Sequence, residues 1–359
     1  MNAKECFVGA DQLPEQVHLI EDEERGFSGT TIIHSTALGP AAGGCRLWHY
    51  DSPAELTADA FRLARTMSYK NALAGLPFGG GVTVLQRPQR DFDRAALFAL
   101  VGDHVERLDG AYLTLPDVGS DAHDMAVLRT RTRHVAGQAA APGRIASNPA
   151  LWTARGVLES IRAAVAVRMG RRSLDGLVVA VQGAGNVGAE LCRLLAAEDA
   201  TILVADMDVS RARAVAAETG ARVFPAAAIL EADCDVFAPC ALGGVLNRNS
   251  IARLRARVVA GAANNQLASA EDAALLHARD ILYAPDLVAN AGGMIHLATD
   301  HLKEGRSQTE ARLRAIPERL RAIFAEAQLR GTGTHAVAED MARAVISAAQ
   351  PKRLLMQAA

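Results

Sequence analysis

From Leu177 onward, short apolar or β-branched runs alternate with stretches of helical period. The runs are LVVAVQG from Leu177, TILVAD from Thr201, CDVFAPC from Cys234, ARVVAGAA from Ala256 and ILYAPD from Ile281. Apolar helical patterns through Leu191 and Val215 follow the first two. Runs with no polar alternation read as strands buried on both faces, so the order predicts a parallel sheet covered by helices on each side. Residues 1–145 read differently, with mixed strand and helix signals and glycine turns at Gly43-Gly44 and Gly79-Gly80-Gly81. The stretch from Gln308 to Gln350 is helical, with a kink expected at Pro317 and a break at Gly331-Thr332-Gly333.

At 359 residues the chain exceeds what one core usually organises. The expected fold is α/β in two domains. An N-terminal α/β domain takes residues 1–145 plus 332–359, the final helix packing back on it, and a doubly wound parallel-sheet domain of Rossmann type takes 146–331.

Composition narrows the chemistry. The formal net charge is −2, with Lys and Arg spread along the chain, so there is no electrostatic footprint for nucleic acid and a small-molecule substrate is expected. The five cysteines, Cys6, Cys45, Cys192, Cys234 and Cys240, are odd in number and form no Cys-x-x-Cys pair, and the ten histidines show no metal-ligand spacing. No metal site is expected. No apolar stretch is long enough to span a bilayer and the N-terminus lacks an apolar leader core, so a cytoplasmic protein is expected.

Gly183-Ala184-Gly185-Asn186-Val187-Gly188 follows the first strand of the second domain and opens its helix. In that context the glycines allow a tight turn, close approach of a pyrophosphate and close packing of helix on strand, and the helix N-terminus offers free N–H donors. Asp206, at the end of the next strand, is placed to accept from ribose hydroxyls and to repel a 2′-phosphate, which favours NAD over NADP. Arg211 and Arg213 nearby soften that preference.

Five further motifs stand in order: Gly39-Pro-Ala-Ala-Gly-Gly-Cys-Arg46; Met67-Ser-Tyr-Lys70 running on to Gly79-Gly-Gly81; Pro116-Asp117-Val-Gly119; Gly261-Ala-Ala-Asn264-Asn265-Gln266; and Asn290-Ala-Gly-Gly293. Together they resemble the leucine/phenylalanine/valine dehydrogenase branch of the amino acid dehydrogenases over nearly the whole chain. The resemblance implies a substrate domain and a Rossmann domain separated by a cleft, and NAD-dependent oxidative deamination of an L-amino acid to its 2-oxo acid. It implies that Lys70 holds the substrate carboxylate, that Asp117 manages protons at the amine, and that Asn264 contacts substrate. Thr153 would meet the nicotinamide carboxamide, and Cys240, Ala241, Asn264 and Asn290 would line the cofactor. Ala42, Gly43, Met67, Met294 and Leu297 would form the side-chain pocket. The small Ala42 leaves room for a large hydrophobic or aromatic group, part of which Met294 fills. A homodimer is also implied.

One position departs from the family's pattern. Twelve residues after Lys70 the family carries a second lysine, which promotes attack of water on the imine; here that residue is Val82. A positioned acid or base typically contributes about 10²- to 10⁴-fold to rate. Three readings stay open: an oxidoreductase acting on an imine or amino acid derivative that needs no enzymic activation of water; an amino acid dehydrogenase in which another group replaces the lysine; or a silent NAD(H)-binding regulator or scaffold. Restoring lysine at position 82 is expected to raise deaminase activity. Elsewhere the residues have simpler readings: Trp48 and Trp152 as packing anchors, His296 as a core or surface residue, and Glu21–Arg25 as a solvated loop or helix end.

Overall fold

The computed structural model describes residues 13–137 and 148–357. The fold is α/β. The chain divides into two compact units, one taking residues up to 147 and again from 342, the other residues 148–341.

The first unit runs β1 (Gln16–Asp22), β2 (Phe27–Ser35), β3 (Ala41–Trp48), α1 (Pro53–Leu73), β4 (Gly79–Gln86), α2 (Arg94–Arg107), β5 (Tyr112–Pro116) and α3 (Ala122–Arg129). Its sheet has the order β1-β2-β4-β3-β5. β2 pairs antiparallel with both β1 and β4, whereas β3 runs parallel to β4 and β5. Helix α1 begins where Ser52 accepts from the Glu55 N–H and Pro53 supplies a pre-set φ at the first turn. Its Leu56, Ala60, Leu63 and Ala64 pack on Ile32, Val82 and Val84. The opposite face of the sheet is covered through Leu97, Phe98, Val101, Val105, Met125 and Leu128 of α2 and α3. The sheet is therefore buried between two helical layers, which is why its central strands read as nearly continuous apolar runs.

The glycine run at the start of β4 serves close packing. A Cβ at Gly80 would lie 2.0 Å from the Ser68 backbone nitrogen, and one at Gly79 1.9 Å from the Ser35 carbonyl oxygen. Only glycine lets α1 and the turn after β2 come so near the strand.

The second unit contains α4 (Pro149–Met169), β6 (Val178–Gln182), α5 (Asn186–Ala196), β7 (Thr201–Ala205), α6 (Val209–Thr219), β8 (Arg222–Val223), a 3-10 turn (Ala226–Glu231), β9 (Val236–Pro239), α7 (Arg248–Arg253), β10 (Val258–Val259), α8 (Ala270–Ala278), β11 (Leu282–Tyr283), α9 (Asp286–Ala289), α10 (Gly292–His301), α11 (Arg306–Arg330) and the start of α12 (Thr334–Gln357). Every strand pair is parallel, in the order β11-β10-β9-β6-β7-β8. Counted within the unit this is 6-5-4-1-2-3, the doubly wound Rossmann order read from the other edge, with its topological switch between β6 and β9.

All five apolar runs become strands, though the last two shorten to two residues each. The exposed edge strand β8 carries no apolar run, because Arg222 and Val223 face solvent and need no burial pattern. α11 continues through the buried Pro317 and is closed by Gly331 in the left-handed conformation. Trp152 is buried, as expected of a packing anchor, but Trp48 is not: it ends β3 with 46 % of its surface exposed. Glu21 and Asp22 close strand β1, and only Glu23–Arg25 form the turn.

Candidate active site

In the second unit the glycine-rich segment forms a built turn. Gly183 has φ +103°, a conformation that L side chains rarely adopt, and donates its N–H to the Ala205 carbonyl at 2.7 Å. A Cβ at Gly188 would stand 1.9 Å from the Gly183 carbonyl oxygen, so α5 can start this close to the turn only with glycine there. Nothing lies within 4 Å of a Cβ at Gly185, and no side chain caps α5. The N-terminal N–H groups of α5 are thus available to an anion, with Gly185 leaving room for its approach.

Asp206 closes the turn from the neighbouring strand. Its Oδ2 accepts from the Ala184 N–H at 2.7 Å and its Oδ1 from the Asp208 N–H at 2.8 Å. Arg211 is held by Asp208, at 3.5 Å. Across the switch point, the Cys240 N–H donates to the Gln182 carbonyl, and a Cβ on Gly183 would meet Cys240 and Ala241 at about 3 Å. Cys240 and Ala241 therefore border the fingerprint. Burial pushes the Cys240 thiol up to about 12, so it is neutral around pH 7.

These contacts imply that Gly188→Ala, which puts a methyl group on the Gly183 carbonyl, weakens dinucleotide binding about tenfold or more, equivalent to about 1.4 kcal/mol. Titration of protein fluorescence with NADH checks it. Unchanged affinity would mean that the turn is not where the pyrophosphate sits.

The asparagine motifs meet in the same unit. Asn290 Nδ2 donates to Asn264 Oδ1 at 2.9 Å and to the Ala262 and Ala263 carbonyls, fixing the loop after β10 against the end of α9. Asn264 is exposed, and Asn290 is buried with its Oδ1 unpartnered among the described residues. Gly292 and Gly293 let α10 start against α4: a Cβ at Gly292 would be 2.0 Å from the Trp152 carbonyl, and one at Gly293 2.5 Å from Thr153 Oγ1. Thr153 itself bonds back to the Pro149 carbonyl. Met294 and Leu297 lie buried on α10. His296 stacks on Trp152 with ring centroids 5.4 Å apart, and Arg155 and Arg306 lie over the same indole, so His296 belongs to a half-buried aromatic and cationic cluster.

In the first unit Lys70 lies in the last turn of α1, 5 % exposed. Its helix end is tied to the strands by Asn71, whose Nδ2 donates to the Ala42 and Gly79 carbonyls. Met67, one turn earlier, comes within 3.1 Å of where a Gly43 Cβ would stand, next to the fully buried Ala42.

Asp117, just past β5, is held on three sides. Its N–H donates to Ser120 Oγ at 3.0 Å, and that hydroxyl donates to the Cys45 carbonyl at 2.6 Å. A Cβ on Gly44 would be 2.5 Å from the Asp117 Cβ, so glycine leaves the carboxylate its place. Arg46 Nε donates to Asp117 Oδ2 at 3.1 Å, while Arg46 Nη1 reaches Asp59 on α1 at 2.9 Å. Because Arg46 joins both, Asp117 lies on the α1 side of the sheet. Asp59 also accepts from the Tyr50 hydroxyl and from Arg62. Burial alone would raise Asp59, but these three donors outweigh it and hold the carboxyl below its usual value. Burial likewise works against the Arg46 cation, and Asp117 and Asp59 more than offset it.

Arg46, Asp59, Tyr50 and Ser120 were not expected at this site. Arg46 ends the first of the glycine-rich motifs, but its partner Asp59 has no marker in sequence.

Val82 lies in the packed interior of the first unit. Its side chain is 1 % exposed, between Ile32 and Val84 of the sheet and Leu56, Ala60, Leu63 and Ala64 of α1. It is filled core.

Among the described residues no helix is long and apolar enough to cross a membrane, and no group of three or more His, Cys, Asp or Glu could hold a metal ion. Cys45, Cys192, Cys234 and Cys240 are free thiols; Cys6 lies outside the described residues.

A doubly wound unit with an intact glycine turn and acid, joined to an α/β unit carrying a buried lysine and an anchored aspartate, defines a two-unit protein of the dinucleotide-dependent dehydrogenase class. The chain belongs to the Glu/Leu/Phe/Val dehydrogenase family. Residues 14–134 match the model described as the Glu/Leu/Phe/Val dehydrogenase dimerisation domain, and residues 204–349 that described as glutamate/leucine/phenylalanine/valine dehydrogenase. The chain is 40% identical to a leucine dehydrogenase of Thermoactinomyces intermedius over 328 residues, covering 91% of this chain and 89% of that protein. It is 39% identical to a valine dehydrogenase of Streptomyces coelicolor, covering 94% and 93%. Among solved structures, L-tryptophan dehydrogenase from Nostoc punctiforme matches with a TM-score of 0.80 at 35% identity, over 95% of this chain and 98% of that one.

Proposed function

We propose that this protein is an NAD-dependent L-amino acid dehydrogenase acting on amino acids with apolar side chains. The observation that carries the reading is the built Asp117 site, since a protein that only bound nucleotide would have no use for a carboxylate fixed by Arg46, Ser120 and Gly44. When bound, the nicotinamide supplies the hydride acceptor. The residues of the second unit fit a dinucleotide: the α5 N-terminus takes the pyrophosphate and Asp206 the adenosine ribose, as NAD requires.

In the first unit the buried Lys70 pairs with the substrate carboxylate, as a point charge in a water-poor setting can. Asp117 exchanges the proton of the substrate amine, with Arg46 occupying Oδ2 and leaving Oδ1 to the substrate. In the second unit Asn264, fixed by Asn290, is the residue assigned to substrate contact. In the first unit Ala42, Gly43 and Met67 are small or apolar, and in the second Met294 and Leu297 lie buried on α10, a composition suited to aliphatic or aromatic side chains. With valine at position 82, the lysine's part in activating water falls to Asp117. A homodimer and a cytoplasmic location complete the reading, the former in keeping with the dimerisation domain matched by residues 14–134.

The test is a panel: L-leucine, L-valine, L-phenylalanine and L-tryptophan with NAD or NADP, the matching 2-oxo acids with ammonia and NADH, and cyclic imines with NADH, followed at the NADH absorbance. NAD-dependent turnover of apolar amino acids is expected. Reduction of imines with no deamination would assign the altered-chemistry reading instead. Silence across the panel, with NADH still bound, would make the protein a nucleotide-binding regulator.

A further inference from the structure

On the α1 side of the first unit's sheet, Arg46 is shared between two carboxylates. Its Nε donates to Asp117 Oδ2 at 3.1 Å and its Nη1 to Asp59 Oδ2 at 2.9 Å. None of the three side chains is more than 17 % exposed, so water and salt do little to weaken their competition. Asp59 is itself tied down twice more, Oδ2 accepting from the Tyr50 hydroxyl and Oδ1 from Arg62 Nη2, each at 2.7 Å. Against its burial, Arg62, Arg46 and Tyr50 keep Asp59 ionised.

How Arg46 is divided decides what is left of Asp117. A guanidinium binds a carboxylate best through a fork of two parallel N–H donors, one to each oxygen. Arg46 makes no such fork here: it donates to Asp117 through Nε, while Nη1 is turned to Asp59 on the helix. A forked Asp117 would have both oxygens occupied and its charge held too firmly to take a proton from an amine. The charged groups on the neighbouring elements are engaged elsewhere. Asp124 of α3 and Arg94 of α2, which act on Cys45 together with Asp117, are joined to each other at 2.8 and 2.7 Å, and burial holds the Cys45 thiol neutral. Lys70 stands about three turns beyond Asp59 on the same helix.

We propose that Asp59 is a positioning residue for the reaction: by drawing Arg46 toward α1 it limits Arg46 to one oxygen of Asp117 and leaves the other open to the substrate amine. The proposal rests on the proposed function in taking Asp117 as the group that exchanges the proton.

The experiment follows the Asp117 carboxyl itself, by carbon-13 NMR titration of protein labelled at its aspartate carboxyls, with Asp117→Asn identifying the signal. Beside it runs the pH profile of kcat with L-leucine and NAD. In Asp59→Asn the guanidinium is released to fork onto Asp117. The Asp117 midpoint should fall by about one unit or more, and kcat should drop about tenfold or more with its acid limb moved the same way. Loss of a negative charge alone also lowers the midpoint, so the deciding variant adds Arg46→Lys, which keeps the positive charge but has no fork. With both substitutions the midpoint should climb back toward that of the natural protein, and kcat should exceed that of Asp59→Asn. Arg62→Gln, at a side chain 47 % exposed, decides if Asp59→Asn fails to fold. With one cation fewer on Asp59, Arg46 is drawn further from Asp117, and the midpoint should rise.

A midpoint unmoved in Asp59→Asn, or one that stays low when Arg46→Lys is added, overturns the proposal, as does an unmoved midpoint in Arg62→Gln where that variant decides. Midpoints that move as expected in a protein that turns over no amino acid uphold the hold of Asp59 on Asp117 and place the failure in the dehydrogenase reading. Turnover with unmoved midpoints does the reverse.

Discussion

Asp117→Asn is expected to reduce kcat for amino acid oxidation by about 10²- to 10⁴-fold while changing KM little, since a positioned acid or base contributes about that much. The substitution is nearly isosteric. An amide oxygen can still accept from Arg46, and the backbone N–H keeps its bond to Ser120, so the fold around the site should persist. What is lost is the capacity to take a proton. NADH affinity, assigned above to the turn at Gly183–Gly188 in the other unit, should not move, and this separates a catalytic defect from a folding one. Position 82 holds a valine and offers no second base, so the loss should fall toward the larger end of the range. A variant retaining kcat within a few-fold would remove Asp117 from the chemistry and leave its anchoring by Arg46 as structural alone.

Val82→Lys is expected to destabilise the protein strongly at neutral pH, and less as the pH rises. The side chain replaced is 1 % exposed and packed among Ile32, Leu56, Ala60, Leu63, Ala64 and Val84. Overfilling such a cluster costs about 1–3 kcal/mol. Burying the ammonium adds more. Buried lysines are documented with pKa values lowered to about 5–6 from about 10.4, and each unit is worth about 1.4 kcal/mol. A folded-state pKa depressed by about three units thus costs about 4 kcal/mol at pH below it.

The sign follows from linkage: below the folded pKa the lysine is charged in both states and the penalty is full, whereas above it the folded lysine is neutral and the unfolded one still charged, so the penalty falls with pH. It fades as the pH climbs toward about 10.4, where the unfolded chain also loses its proton. Thermal melts from pH 6 to 10 measure it, with Val82→Met as the control for volume without charge. Methionine should show the packing cost and none of the pH dependence. A lysine variant that melts with the natural protein at every pH would show that the ammonium escapes the cluster. In that case the gain in deaminase activity expected from the sequence should accompany it.

The contrast between these two residues marks the limit of what the sequence determined. The Rossmann unit was legible because its signals are local: apolar runs of strand length, a glycine spacing fixed by one turn, and an acid at the end of the next strand. Edge strand β8 escaped because solvent-facing residues carry no apolar pattern. Lys70, Asp117, Asn264 and Asn290 were legible as candidates because each stands in a motif of ordered neighbours.

What holds those residues depends on contacts between segments far apart in the chain. Arg46 meets Asp117 across 71 positions, and Asn290 meets Asn264 across 26. The glycines of Gly43-Gly44 and Gly79–Gly81 read as turns in one dimension, but the fold places them in strands where a helix, a neighbouring strand or the Asp117 carboxylate comes too close for a Cβ. Val82 shows the same division. The sequence showed a valine where the resemblance implies a lysine; only the packing of α1 on β4 decided that the place is occupied by core, because burial depends on what the rest of the chain lays over a residue.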